Sequence, residues 1–254
     1  MSGHLAIIGL GPGPADQITP QAAEALARAD WLLGYGPYLD RLHLAPHQRI
    51  VPTDNREEAA RAAHALRLVA EEGRQVAMVT GGDPGVFAMA AAVLEQMEQG
   101  PPAWRTVEMQ IIPGITAMLA VAARVGAPLG HDFCAISLSD NLKPWSVIEN
   151  RLRAAATGGF VMAFYNPRSK ARPHQLGQAL ALLRDLLPGT VPVIFGRAIG
   201  RPDESVIFTT LAAADPEQVD MSTCVLIGTA ETRVLERPGL EPLVYTPRAI
   251  AGPV

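Results

Sequence analysis

Cysteine is scarce in this chain of 254 residues, which has only Cys134 and Cys224. Both lie in apolar runs. With no CxxC pair and no His/Cys group at ligand spacing, a disulfide framework and a structural zinc site drop out, and no metal site is expected. Long apolar runs are also missing. None approaches the roughly 18 residues of a membrane-spanning helix. Met1-Ser2-Gly3-His4 carries no cationic segment ahead of an apolar core, so neither a signal peptide nor membrane association is expected, and the expected location is cytoplasmic. Positive charge is not in excess either. The formal net charge of −4 argues against a general nucleic-acid binder, while leaving room for a local basic pocket. Finally, there is no Walker A sequence and no complete G-x-G-x-x-G fingerprint.

What is present is an ordinary folding composition, 48% apolar and 18% charged, long enough for one large or two modest domains. The 23 glycines and 22 prolines tend to lie at the ends of apolar runs, where they act as turn punctuation in an alternating α/β chain. Val79-Thr80-Gly81-Gly82-Asp83-Pro84-Gly85 is the most informative stretch. The apolar run 76–79 leads in as a buried strand, and helical periodicity over 86–99 follows. Gly81 and Gly82 strip two consecutive side chains from the turn, so a ligand can approach the main chain. Pro84 biases Asp83 away from helical dihedrals. Such a turn, at the carboxyl end of a strand, is where open α/β sheets bind ligands. It also reads as a plain strand-to-helix turn with Asp83 as N-cap.

The chain begins with a buried strand over 4–9 that runs into Gly9-Leu10-Gly11-Pro12-Gly13-Pro14. Pro14 occupies the third fingerprint position, and the next helix starts late, at Thr19-Pro20. Both features argue against a nucleotide-dependent dehydrogenase. Strands follow at 31–35 and 49–51, then a helix over 57–72 stopped by Gly73. After the central turn and its helix come a strand at 106–112, Pro113-Gly114-Ile115-Thr116-Ala117, and a helix over 116–125. The aperiodic break at 126–130 sets an expected boundary between an N-terminal α/β domain, 1–130, and a C-terminal α/β domain, 131–236. In the second half, strands at 133–138, 160–164, 191–195, 204–209 and 223–227 alternate at first with helices. The strands after Val191 are close enough for antiparallel pairing. Residues 237–254 are Pro-rich and aperiodic and read as a loose tail.

Taken together, Gly9-Leu10-Gly11-Pro12-Gly13, Gly81-Gly82-Asp83-Pro84, Pro113 to Ala117, Tyr165-Asn166-Pro167 and Gly228-Thr229-Ala230 resemble the tetrapyrrole (precorrin) methyltransferases of cobalamin synthesis over about residues 3–235. Gly34-Tyr35-Gly36-Pro37-Tyr38, the stretch from Ser137 to Trp145, and Phe164 to Ser169 look most like the ring-contracting branch. The resemblance implies a two-domain tetrapyrrole methylase fold, with a mostly parallel sheet in the N-terminal domain and a mixed sheet in the C-terminal one. It implies S-adenosylmethionine in the interdomain cleft, S-adenosylhomocysteine as product, and a homodimer. The substrate would be a precorrin-3B-type tetrapyrrole, methylated at carbon 17 with contraction to precorrin-4. The alternatives are the cobalt-containing factor III of the anaerobic route or another precorrin. A tetrapyrrole carrier would keep a basic cleft without needing the cofactor loops.

By motif match, cofactor contacts fall at Pro12, Gly81, Gly82, Asp83, Val86, Phe87, Thr116, Ala117, Tyr165, Asn166, Ala198, Thr229 and Ala230. A polycarboxylate substrate calls for cations in strand-end loops, and Lys143, Arg168, Lys170, Arg172, Arg197 and Arg201 qualify, with Lys143 and Arg168 first. Contraction requires loss of a hydroxyl proton as a carbon–carbon bond migrates, so a base is wanted. Asp140, His131 and Asp132 are the candidates, each of which also reads as a cap or a surface group.

Overall fold

A computed structural model describes residues 3–54 and 57–249, and their contacts divide the chain into two units, 1–116 and 117–254. The first unit alternates strand and helix: β1 (His4–Gly9), α1 (Pro20–Arg28), β2 (Trp31–Tyr35), α2 (Gly36–Leu39), β3 (Arg49–Thr53), α3 (Glu58–Ala70), β4 (Gln75–Thr80), α4 (Met89–Gln99) and β5 (Glu108–Ile112). Its sheet runs β3-β2-β4-β1-β5, with every pair parallel. Parallel strands covered on both faces read as unbroken apolar runs, and Leu5, Ile7, Ile8, Val76, Met78 and Val79 are all buried. Ala22 and Ala25 of α1 pack with Ala6, Ile8, Ala77 and Val79 on one face. Leu66 and Val69 of α3 and Val93 of α4 pack with Leu5, Ile7 and Met78 on the other. The chain leaves β1 toward one edge of the sheet and β4 toward the other. The switch point of this open sheet therefore lies between these two neighbours, at their carboxyl ends. Thr19 caps α1, its Oγ1 accepting from Ala22 N at 3.2 Å, and Pro20 sits at the first helical position.

The second unit holds α5 (Ala117–Val125), β6 (Gly126–Ala127), β7 (Phe133–Ser137), α6 (Trp145–Thr157), β8 (Val161–Tyr165), α7 (Gln175–Arg184), β9 (Pro192–Arg197), β10 (Ser205–Thr210), β11 (Thr223–Ile227), β12 (Arg233–Arg237) and β13 (Leu240–Tyr245). Its main sheet, β10-β9-β11-β8-β7, is mixed: β7 and β8 are parallel, and the pairs involving β9, β10 and β11 are antiparallel, as the short spacing after Val191 suggests. Side chains alternate across it. Met162 and Phe164 of β8 face a core with Leu152 of α6 and Leu180 of α7, whereas Ala163 faces Val121 and Val125 of α5.

Three expectations are corrected. The first domain ends at 116, not near 130, because α5 packs on the second sheet. A Cβ at Gly196 of β9 would lie 2.4 Å from Val121 Cγ2, so helix and strand touch through the missing side chain. The stretch from 237 is not a loose tail as far as Thr246. β13 pairs antiparallel with β12 and parallel with β6, and Val244 is fully buried; residues 250–254 lie outside the described residues. The helix after the central turn starts at Met89 rather than 86, because Phe87 is left-handed (φ 52°) and Ala88 extended.

Candidate functional site

In the first unit three side-chain-poor turns meet at the switch point. Gly11 and Gly82 exchange main-chain hydrogen bonds, Gly82 N donating to Gly11 O at 2.9 Å and Gly11 N to Gly82 O at 3.1 Å. The Pro113-Gly114 turn closes against them. A Cβ at Gly114 would lie 2.3 Å from Gly82 O, and one at Gly9 would lie 2.6 Å from the same oxygen, so only glycine lets these turns approach so closely. Asp83 is not a helix N-cap. Its Oδ1 accepts from Gly85 N at 2.8 Å and its Oδ2 from Gly114 N at 3.1 Å, so one carboxylate holds two turns together. Tyr38 stands over Gly81, where a Cβ would meet its ring at 2.8 Å, and Tyr35 packs edge-on against it with ring centroids 5.4 Å apart. Pro12 and Thr116 are buried, Val86 is half-buried, and Phe87 is half-exposed.

Arg61 of α3 supports this end of the sheet. It is buried, and it donates to Thr53 Oγ1, to Asp54 O at 2.7 Å and to Met89 Sδ at 3.3 Å. Burial pulls its pKa down, against the pull of nearby Glu58, Glu57, Tyr38 and Asp54. Thr53 Oγ1 in turn donates to Gly34 O, which fixes the start of the Gly34–Tyr38 turn.

In the second unit the Tyr165 hydroxyl accepts from Met118 N at 3.0 Å and so caps α5, whose first residue is Ala117. Asn166 follows β8 with φ 52°. Its side chain donates to Ser137 Oγ at 3.0 Å, and its carbonyl accepts from Arg172 Nη1 at 3.2 Å. Ala198 is likewise left-handed, with φ 49°, and is buried in a turn braced by Glu204, which accepts from Gly200 N at 2.7 Å and from Arg124 at 2.6 Å. Those bonds hold the Glu204 carboxyl below the usual range, the Gly200 amide contributing most. Thr229 N donates to Thr232 Oγ1 at 2.8 Å; Ala230 is exposed. Thr232 pairs with Thr246, whose hydroxyl donates to Pro128 O.

The non-glycine residues with positive φ among the described residues are Phe87, Asn166 and Ala198, and all three carry a cofactor expectation. Each costs about 1–3 kcal/mol of strain, and such strain persists where the surroundings over-determine it, as at ligand clamps.

The basic residues separate into two kinds. Arg168 is bound to Glu217 at 2.5 Å, and Arg197 to Asp203 and Asp220 at 2.9 and 2.8 Å. Arg172 is buried and, among the described residues, forms no ion pair; it donates to Asn166 O and Met221 Sδ. Lys143 donates to Ser139 O at 3.1 Å, and its pKa is pulled down by burial first, then by Arg151 and Arg172, with Asp140 opposing. Arg151 and Arg172 thus both lie near Lys143, with Asp140 the nearby acid. Lys170 is exposed, and Arg201 lies in the turn held by Ala198. Of the proposed bases, Asp140 is in this cluster, where its Oδ2 accepts from Gln175 Nε2 at 3.0 Å. His131 and Asp132 lie elsewhere, before β7, with Asp132 N donating to His131 Nδ1 and the Asp132 side chain 81% exposed. Gly114, Tyr38, Ser137 and Gln175 were not singled out as site residues. Gly114, Tyr38 and Ser137 lie inside quoted motifs, whereas no sequence signal marks Gln175.

Residues 4–215 match the family described as Tetrapyrrole (Corrin/Porphyrin) Methylases, and the chain belongs to it. It is therefore a methyltransferase of the class that uses S-adenosylmethionine. More particularly, it is 63% identical over 252 residues, 99% of both chains, to the precorrin-3B C(17)-methyltransferase of a Sinorhizobium species. It is 40% identical to the probable cobalt-factor III C(17)-methyltransferase of Salmonella typhimurium, over 95% of this chain and 99% of that one. A solved structure of the methyltransferase CobJ matches with a TM-score of 0.92 and 51% identity, covering 97% of this chain and all of that one. No helix among the described residues is long and apolar enough to cross a membrane.

Proposed function

We propose that the protein methylates carbon 17 of precorrin-3B and promotes ring contraction to precorrin-4 in cobalamin biosynthesis, with S-adenosylmethionine as donor. The observation that carries this reading is the full-length identity to the Sinorhizobium enzyme, on a chain whose switch-point turns are built from main chain. When bound, S-adenosylmethionine supplies an electrophilic methyl on a sulfonium, and the thioether leaves neutral. The Gly9–Pro12, Gly81–Asp83 and Gly114–Ala117 turns offer backbone carbonyls and amides with few side chains in the way. This suits a donor that has an adenosine, a sulfonium and an amino-acid end but no phosphate. Val86, Phe87, Tyr165, Asn166, Ala198, Thr229 and Ala230 complete the proposed contacts. Held in line, the reactants gain about 7–11 kcal/mol from orientation alone.

Lys143 and Arg172 are the cations we assign first to substrate carboxylates, because Arg168 and Arg197 are already occupied by acids of this chain. Asp140 is the base we assign to contraction. It lies near Lys143, and among the described residues its Oδ1 accepts no hydrogen bond.

The test offers precorrin-3B and the cobalt-containing factor III in parallel with labelled S-adenosylmethionine. One methyl per molecule and a contracted product from the metal-free substrate are expected. Turnover of the cobalt substrate alone would move the protein to the anaerobic route, and turnover of neither would refute the reading.

A further inference from the structure

We infer that Gln175 is a positioning residue for ring contraction, because it holds one oxygen of Asp140 and leaves the other for the substrate hydroxyl. This rests on Asp140 as the base. Asp140 sits in the turn after β7, and Gln175 is the first residue of α7, 35 positions later. The Gln175 amide is fixed from both ends: its Oε1 accepts from His174 N at 3.2 Å, and its Nε2 donates to Asp140 Oδ2 at 3.0 Å. Its orientation is therefore set by the helix start and not by Asp140 alone. A carboxylate held at one oxygen by a neutral donor keeps a lone pair of the other oxygen aimed in one direction. The charged and titratable groups around the pair are Lys143 on the same turn, Arg172 in the loop ahead of α7, Arg151 on α6, and His174.

The step balances with these groups alone. Transfer of a methyl cation leaves the macrocycle with one positive charge, which conjugation carries to the carbon beside the carbinol. The migrating carbon–carbon bond takes its electron pair to that carbon and cancels the charge. The hydroxyl O–H pair becomes the new C=O bond, and the proton passes to Asp140 Oδ1. No external oxidant or reductant enters.

The experiment compares the parent with Gln175→Ala and the isosteric Gln175→Glu. It measures methyl incorporation and contraction separately across pH, and follows the Asp140 carboxyl titration by carbon NMR without substrate. In Gln175→Ala, contraction should slow by about ten- to a hundredfold, within the range of a general base, while methyl incorporation persists and uncontracted methylated product builds up. In Gln175→Glu two carboxyls about 3 Å apart share a proton, so the Asp140 titration and the acid limb of contraction should both move to higher pH and activity should recover there. Unchanged contraction and titration in both variants would overturn the inference. So would equal loss of methylation and contraction in variants that melt like the parent, which would mark Gln175 as a tie between turn and helix. Failure of the parent itself to methylate precorrin-3B would instead strike the proposed function.

Discussion

Gly114→Ala tests the main-chain cradle most directly. Its Cβ would sit 2.3 Å from Gly82 O and 2.9 Å from Gly9 C and O, all backbone atoms with no flexible end to swing aside. A carbon–oxygen contact relaxes only near about 3.3 Å, so one turn must move by about 1 Å. If Gly82 yields, its 2.9 and 3.1 Å exchanges with Gly11 stretch beyond bonding range; if Gly114 yields, its 3.1 Å bond to Asp83 goes. Neutral bonds lost this way cost about 0.5–1.5 kcal/mol each and a charged one about 1.5–3, on top of roughly 1–3 for overpacking. A total of about 2–6 kcal/mol is expected. Urea unfolding should show that loss. Calorimetric titration should show S-adenosylmethionine affinity falling by at least about tenfold, since each 1.4 kcal/mol is a decade. Gly177→Ala in α7 is the control. Its Cβ meets only Pro216 Cγ at 3.7 Å, and a Gly→Ala exchange in the first turn of the helix should raise stability by up to about 0.5–1 kcal/mol. A destabilised Gly114→Ala protein that binds the cofactor with undiminished affinity would refute the cradle as the grip.

Glu204 gives a pH signature. Its folded pKa is depressed, so its contribution to stability is present above its ordinary value of 4.5 and is lost as pH falls through the folded value. Thermal melts should therefore drop more steeply below about pH 4.5 in the parent than in Glu204→Gln, which should be less stable at neutral pH; parallel curves would remove Glu204 from the account. Burial raises the pKa of both thiols, and that of Cys224 to about 12. A thiol reagent at pH 8 should leave Cys224 unmodified until the protein unfolds, and prompt labelling of both cysteines in the native state would contradict the burial described here.

The parts of the fold legible in the sequence are those whose signals are local. Leu5–Ile8 and Val76–Val79 read as strands because both faces are covered, and Thr19-Pro20 marks a helix start by its own chemistry. The late start of α4 was hidden, because nothing in Phe87 announces a left-handed residue, a conformation that surrounding contacts must impose. The hairpin at the C-terminal end was hidden by Pro242, which demotes a strand unless a bulge admits it. The register of β12 against β13 does shift, between Leu235 and Arg237. The allegiance of α5 depends on Gly196, some 70 residues away, which no local pattern encodes. At the site, glycine turns are legible because few residue types can replace them. A single glutamine at a helix start looks like any other first-turn residue until Asp140 is found beside it.

The three-stranded sheet of the second unit has a consequence for biosynthesis. It sews Gly126–Ala127 to Val244–Tyr245, and the Thr246 hydroxyl bonds back to Pro128. On the ribosome, the first sheet has all its strands once residue 112 has emerged, so it is free to form while translation continues. The three-stranded sheet cannot close until residue 245 has emerged, because its final stitch spans more than a hundred positions and long-range closures form late. A stop codon ahead of β13 should therefore leave Gly126–Ala127 and β12 without their sheet partner and more open to proteolysis than in the parent.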